Sequence, residues 1–520
     1  MTDGWEPLLE DLARRRDAAR AMGGAARLAR QRLGGRLDAR ARIDALCDPG
    51  SFRELGVLVG SSDGAAADGL ITGIGRLDGR VVTIGAEDFT VLGGSIGPGT
   101  AAKRFRIAEM AGAERIPLVF LLDGAGARAN NSTQRHARAP GDLQMVASLS
   151  GVVPMVAVVM GPSAGHGALV APLMDVTFMV QGAAIFAAGP PLVASSTGEV
   201  VDKETLGGAA TQVASGVVHN VASTDVDALA LVRRYLSFFP SSAWSVPPSS
   251  LDLPIMTAQS GGQDAQAHGR ESDMGPRRLD AILHVIPASG TRPYDMGNVL
   301  DLVADDSDWL ELQPGYGRSL ITALARLGGH PVMVIANQPK VKAGAIDAAA
   351  AEKAAHMIEL ADAYRLPLVF LTDNPGVMAG SAAERSAILR AGARMYSAQH
   401  RATTVKLHVT FRKAFGFGSS AMAMNPFDGQ TISYCFPGVR LGAMPGRGAS
   451  RATGATGEAE AALIAADLAG GYRAAENLSF DEMIDPRDLR NALLDGLTMA
   501  AGRLGPDVAN GPVRRSGIRP

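Results

Sequence analysis

The sequence predicts an α/β protein made of two tandem copies of one unit, and three observations carry that prediction. With a shift of 250 positions, residues 75–126 lie over 325–376 without a gap and share 21 identities in 52 positions, far more than unrelated segments would share. Within each copy, short apolar runs of strand type alternate with helical stretches. Between the copies, residues 240–278 are rich in Pro, Ser, Gly and Gln, the composition of a linker. The expected domains are therefore 1–255 and 270–510.

The chain opens with a predicted helix over 5–33, whose arginines read as a solvated basic face. In each copy a strand comes next, VVTIGA (81–86) or VMVIAN (332–337), followed by a glycine loop at Gly93–Gly94 or Gly344. A helix follows at about 100–113 or 350–363, with Lys103 and Lys353 on corresponding turns. The buried strands PLVFLLD (117–123) and PLVFLTD (367–373) lead into a glycine turn. A second apolar strand, MVAVVM (155–160) or KLHVTF (406–411), leads into another. Here the match resumes with a one-residue slip, so that VVMGPSAGHG (158–167) lies over VTFRKAFGFG (409–418). The tail from 505 to 520 lacks apolar periodicity and is expected to be loosely held.

Composition narrows the function. Hydrophobic residues make up 47% of the 520 and charged residues 20%, enough for a large core and too apolar for wholesale disorder. With 50 Lys and Arg against 52 Asp and Glu, the balance argues against a nucleic-acid surface, which needs a positive excess. Two cysteines, Cys47 and Cys435, exclude a disulfide framework and a four-cysteine zinc site. They suggest a reduced, cytoplasmic setting, and the opening MTDGWEPLLEDLARRR has no apolar signal core. Residues 143–174 and 176–198 carry no charge, but prolines at 154, 162, 172 and 190 interrupt them. VVPMVAVVMG therefore reads as a strand buried on both faces rather than a membrane span.

The paired glycine turns are where chemistry is expected. Gly126 with Gly165 and Gly167, then Gly376 with Gly416 and Gly418, each follow buried strands. Glycine there lets backbone approach a ligand closely, and two such turns on neighbouring strands can aim two N–H groups at one oxygen. The segment GPSAG (161–165) also fits a nucleophile elbow with Ser163 as the nucleophile and His166, His136 or His219 nearby, but the second copy has Ala414 there. His166, matched to Phe417, is read as a pocket wall before a base. Asp123 and Asp373 are expected to accept N–H groups of the turns that follow them. Arg412–Lys413 are either an anion partner or exposed strand-end charge. The nine histidines show no metal-ligand spacing, so no metal is expected.

Taken together, the motifs resemble the carboxyltransferase (β) subunit of biotin-dependent acyl-CoA carboxylases, such as the propionyl-, acetyl- and methylcrotonyl-CoA carboxylases. The resemblance runs from about residue 34 to 455. GRLDARARIDALCDPGSFRELG (35–56) is similar to the family's opening segment, and EDFTVLGGSIG (87–97) to its DFT-x-x-GGS loop. LLDGAGAR (121–128) is similar to its DSGGAR turn, with Gly124–Ala125 in place of Ser-Gly, and GPSAGHGALVAPL (161–173) to its GPCAGGA segment. FAAGPPLVASSTGE (186–199), with LGGA (206–209) and SGVVH (215–219), resembles a block specific to the family. DNPGVMAG (373–380) resembles D-x-PG-x-x-x-G, and RKAFGFG (412–418) resembles RKAYGGA.

The resemblance implies two crotonase-like domains, each a spiral of β-β-α units. It also implies a hexamer whose active sites lie between the first half of one subunit and the second half of another. Carried over by position, an acyl-CoA oxyanion hole would use N–H groups around Gly126–Ala127 and Gly165–His166–Gly167. A biotin hole would use those around Gly376–Val377 and Phe417–Gly418. The chain has no lysine between two methionines for biotin attachment, no ATP-grasp region and no P-loop. Biotin would then come from a biotin carboxylase/biotin carboxyl carrier partner, and the substrate would be a short acyl-CoA. A decarboxylase subunit working in reverse, a hydrolase using Ser163 and a non-catalytic assembly subunit are the alternatives.

Overall fold

The structure, a computed structural model, describes residues 4–60, 65–128, 141–249, 273–504 and 518. The chain divides into two compact units, Met1–Ser237 with Ser241–Trp244 and Pro512–Pro520, and Phe238–Pro240 with Ser245–Gly511. Most of the expected linker and tail lie outside the described residues. Of the tail only Ile518 is described, and its N–H donates to Ser150 Oγ at 2.9 Å.

Each unit is an eight-stranded mixed sheet with one and the same strand order. In the first unit the strands are β1 (Arg53–Leu55), β2 (Leu70–Leu77), β3 (Arg80–Glu87), β4 (Leu118–Gly124), β5 (Met155–Ala164), β6 (Val176–Val180), β7 (Ala184–Phe186) and β8 (Asn220–Ala222). They run β1-β2-β3-β4-β5-β6-β8, with β7 also paired to β5. The second unit has β9 (Trp309–Leu312), β10 (Leu320–Leu327), β11 (His330–Asn337), β12 (Leu368–Asn374), β13 (Lys406–Phe415), β14 (Ile432–Cys435), β15 (Arg440–Gly442) and β16 (Glu482–Met483). Their order is β9-β10-β11-β12-β13-β14-β16, with β15 on β13. The first three strands of each sheet are antiparallel and the rest parallel.

Local sequence explains most of these elements. The hairpin β2–β3 turns on Asp78 and Gly79 at φ 51° and 79°, and β10–β11 on Gly328 and Gly329 at φ 59° and 81°. Left-handed pairs of this kind match the twist of the strands they join. The helices Pro98–Glu114 and Ala348–Tyr364 lead from β3 to β4 and from β11 to β12. Proline opens the first, where its missing N–H costs nothing. Asp347 caps the second by accepting from the Ala350 N–H at 2.8 Å. Both end on an arginine in the left-handed region, Arg115 at φ 58° and Arg365 at φ 60°. β4, β12 and nearly all of β5 and β13 are buried, as continuous apolar runs between parallel neighbours require.

The expected helix over 5–33 is broken into Glu6–Arg20 and Ala25–Leu33. Between them the Gly23 N–H donates to Thr90 Oγ1 at 3.0 Å, and a Cβ on Gly23 would lie 2.1 Å from the Thr90 carbonyl oxygen. The chain leaves the helix so that its backbone can lie against that loop. Among the described residues, no helix is long and apolar enough to cross a membrane.

His408 sits wholly buried in β13, with Nε2 3.1 Å from Thr372 Oγ1 and its ring stacked on Phe480. Burial opposes its charge and pushes its pKa down to about 3. An unfolded histidine titrates near 6.5, so the unfolded state gains a proton that the folded state does not, and stability falls as pH drops from about 6.5 towards 3. His408→Phe is expected to lose less stability than the unmodified protein between about pH 7 and about pH 4 in urea titrations. Equal losses in both proteins would remove His408 from the acid response.

Candidate active site

In each unit the chain crosses the sheet end twice beside a glycine turn. After β4, Gly126 lies at φ +82°, and after β12, Gly376 lies at φ +116°. The Ile96 N–H donates to the Gly126 oxygen at 2.7 Å, and the Arg128 N–H to the Ile96 oxygen at 3.0 Å. This parallel bridge turns the Ala127 N–H away from Ile96, and that N–H has no hydrogen-bond partner among the described residues. The second unit repeats the arrangement. Ile346 donates to Gly376 at 3.1 Å, Met378 donates to Ile346 at 2.8 Å, and the Val377 N–H is left without a partner among the described residues.

The second turn follows β5 or β13, at Gly165 (φ +54°) or Gly416 (φ +53°), and opens the short helices Gly165–Ala168 and Gly416–Ala421. These turns lie against the first ones. A Cβ on Gly167 would lie 4.0 Å from Gly126 Cα, and one on Gly418 would lie 2.7 Å from Gly376 Cα. The fold therefore gathers Gly126, Ala127, Gly165, His166 and Gly167 at one sheet end, and Gly376, Val377, Phe417 and Gly418 at the corresponding end of the other. Both His166 and Phe417 keep a half-exposed side chain. Such clustered backbone donors can stabilise an oxygen that gains negative charge.

Several side chains are placed differently from expectation. Asp123 does not serve its own turn: its Oδ2 accepts from buried Arg42 at 2.9 Å, and Arg42 also pairs with Asp225 at 2.9 Å. Burial opposes the Arg42 charge, but the two carboxylates outweigh it and raise its pKa. Asp373 accepts from Arg412 Nε at 2.7 Å and from Tyr294 Oη at 3.0 Å. Arg412 is therefore buried in an internal ion pair, neither exposed strand-end charge nor a free anion site. Lys103 and Lys353 do match, each donating to the first carbonyl of a strand, Leu70 or Leu320, at 2.7 Å. Burial pushes Lys353 down to about 8.

The hydrolase arrangement fails. Ser163 lies inside β5 rather than on a sharp turn, is wholly buried, and its Oγ has no hydrogen-bond partner among the described residues. His219 Nδ1 accepts the Thr177 N–H, His166 turns to an acid described next, and His136 lies outside the described residues. Among the described residues no group of three or more His, Cys, Asp or Glu could hold a metal ion.

A buried ionic chain in the first unit had no visible trace in the sequence. Glu87 accepts the Asp123 N–H and Arg104 Nη1, both at 2.8 Å, and Arg104 Nε donates to Asp142 at 2.8 Å. Asp142 Oδ1 lies 2.7 Å from His166 Nε2. Burial opposes the Asp142 charge, but the His166 hydrogen bond and the Arg104 guanidinium outweigh it and bring its pKa down to about 2. Burial pushes Glu87 up, with Arg104 pulling the other way. No short motif marks partners this far apart in the chain.

Comparison with known proteins decides the family. The carboxyl transferase domain matches residues 30–504. The chain belongs to that family. It is 34% identical over 513 residues to the methylmalonyl-CoA decarboxylase subunit alpha of Veillonella parvula, covering 96% of each chain. It is 35% identical over 453 residues to the mitochondrial propionyl-CoA carboxylase beta chain of Sus scrofa, covering 85% of this chain and 80% of that one. The crystal structure of transcarboxylase 12S, a hexamer with methylmalonyl-coenzyme A and methylmalonic acid bound, superposes with a TM-score of 0.85 at 32% identity, covering 99% of both chains. This carboxyl transferase domain protein is a biotin-dependent acyl-CoA carboxyltransferase with two crotonase-like domains, as its motifs imply.

The two copies of the second turn should respond differently to one methyl group. A Cβ on Gly167 meets its nearest atom at 3.4 Å, an ordinary contact, whereas one on Gly418 meets Asn374 Oδ1 at 2.5 Å and Gly376 Cα at 2.7 Å. Gly167→Ala is expected to melt close to the unmodified protein, and Gly418→Ala to be less stable by about 1–3 kcal/mol. Thermal unfolding of both variants checks this, and equal stabilities would contradict the packing described.

Proposed function

We propose that this carboxyltransferase moves a carboxyl group between a biotin carried on a partner chain and the α-carbon of a short acyl-CoA. One observation carries the reading, the duplication of a single amide-presenting arrangement, with N–H groups that have no partner among the described residues at Ala127 in the first unit and Val377 in the second. The reaction makes two negative oxygens. One is the thioester oxygen when the α-proton leaves, and the other is the ureido oxygen when carbon dioxide is released. Amides fixed by the backbone need no reorientation to meet that charge, and each is worth about 2.7–4 kcal/mol in kcat.

The amides around Gly126–Ala127 and Gly165–His166–Gly167 hold the acyl-CoA oxygen, which makes residues 1–255 the acyl-CoA side. Those around Gly376–Val377 and Phe417–Gly418 hold the biotin oxygen, which makes 270–510 the biotin side. Gly418 packs so closely on Gly376 that no side chain fits between the two turns. Carboxybiotin supplies the carbon dioxide and, after its release, a nitrogen able to take the α-proton, so a side-chain base is not required. Biotin arrives on a biotin carboxylase/biotin carboxyl carrier partner in the cytoplasm. The core is a homohexamer, as the name of the transcarboxylase 12S structure suggests.

The reverse reaction, decarboxylation of a carboxyacyl-CoA with transfer to biotin, is a second reading. The Veillonella relative, similar over 96% of the chain, bears that name. ATP-dependent carboxylation of acetyl-CoA or propionyl-CoA by the protein with its biotin-carrying partner would select the forward direction.

Gly418→Ala tests the division of labour. Carboxyl transfer is expected to fall by about 100-fold or more, while the dissociation constant for acyl-CoA, measured by calorimetry, stays within about threefold. A parallel loss of acyl-CoA binding would show that the second unit is not dedicated to biotin.

A further inference from the structure

The ionic chain Glu87–Arg104–Asp142–His166 has no equivalent in the second unit. Asn337 stands where Glu87 does, Ala354 where Arg104 does, and Phe417 where His166 does. There, neutral amides hold the turns. Asn337 Oδ1 accepts the Asp373 N–H at 3.0 Å and Asn374 Nδ2 at 3.2 Å, and Asn374 Oδ1 accepts the Gly376 N–H at 2.9 Å. The fold can therefore secure a pair of glycine turns with an amide in place of the Glu87 carboxylate. Burying a carboxylate, a guanidinium and a second carboxylate in the other copy is costly unless every member is paired.

The chain of ion pairs runs between the two turns of the first unit. At one end Glu87 takes the Asp123 N–H, at the end of β4 and three residues before Gly126. The same carboxylate lies beneath both turns. A Cβ on Gly124 would lie 2.8 Å from its Oε2, and one on Gly167 would lie 3.6 Å from its Oε1. Arg104, wholly buried, neutralises that carboxylate and so removes a negative charge that would oppose an oxyanion above it. At the far end Asp142 holds the imidazole of His166, whose own carbonyl and the next N–H form the His166–Gly167 peptide. Nε2 is held by Asp142 while the side chain as a whole stays half-exposed.

We infer that Arg104 and Asp142 are positioning residues for carboxyl transfer, acting through Glu87 and His166 to lock the two glycine turns of the first unit at one spacing. The inference rests on the reading that those turns receive the acyl-CoA thioester oxygen. A small misplacement of such donors costs rate more than binding, because their strongest interaction is with the charge that develops during reaction. The second unit, tied by amides, works without this lock.

The test measures carboxyl transfer from methylmalonyl-CoA to free biotin by the full-length protein, following release of propionyl-CoA. In this reaction the carbon–carbon bond to the carboxyl group breaks, a carbon–nitrogen bond to biotin forms, and the biotin proton passes to the α-carbon. Asp142→Asn and His166→Phe, the latter placing the second unit's residue in the first, are expected to lower kcat about 100-fold with KM for methylmalonyl-CoA within about threefold. His166→Gln keeps a donor that can reach Asp142 and should recover activity to within about fivefold of the unmodified protein. Arg104→Lys should retain more activity than Arg104→Met, since it keeps the charge against Glu87. His166→Phe with full kcat overturns the proposal. So does a defect confined to KM, or a loss that His166→Gln does not repair, because the imidazole would then act by its own chemistry. If Asp142→Asn does not fold, the half-exposed His166 variants decide alone. Absence of transfer by the unmodified protein overturns the underlying reading as well, whereas an active unmodified protein with unaffected variants overturns the positioning role only.

Discussion

The carbonyl oxygen of Asp123 stands 2.5 Å from where a Cβ on Gly94 would be, and the carbonyl of Asp373 stands at the same 2.5 Å from that point on Gly344. Both glycines are left-handed, at φ +62° and +83°. No other residue lets the loop after β3 or β11 lie so close to the end of the next strand. That approach brings Ile96 and Ile346 into single parallel bridges with Ala127 and Val377. The bridges in turn decide which way the amides of the following turns face. The oxyanion chemistry proposed for this carboxyltransferase thus rests on a backbone contact, made twice. The residue before each of these glycines is also left-handed, yet it is Gly93 in one copy and Ala343 in the other. Conformation alone is tolerated there; steric room is required only at the second position.

The acids at the strand ends present a different problem. Asp123 and Asp373 occupy one position of the repeat, and each needs a cation because it is buried. The first recruits Arg42 from the helix Ala39–Leu46, and the second recruits Arg412 from β13, with the Tyr294 hydroxyl added. Removing one partner of a buried pair leaves the other charge uncompensated, which typically costs about 3–5 kcal/mol. The duplicated acids were thus satisfied independently, by groups at unrelated positions. The lysines behaved otherwise. Lys103 and Lys353 kept one task, because their acceptor is a backbone carbonyl that the repeat itself places.

Much of this protein was legible before any coordinates. The identities at a fixed shift determined that there are two copies, the apolar runs determined β4, β5, β12 and β13, and the glycines after them marked the turns. These are properties of neighbouring residues and of spacing, and strand burial and left-handed turns need nothing more. Tertiary structure alone decided which charges meet. Arg42 and Asp225 are 183 residues apart, and Arg104 and Asp142 are 38 apart with a strand between them. It also decided that His166 faces an acid rather than a serine, and that Ser163 lies inside a strand. A side chain's partner depends on where the sheet carries it, and burial makes that partner necessary. Neither is written in the residues on either side.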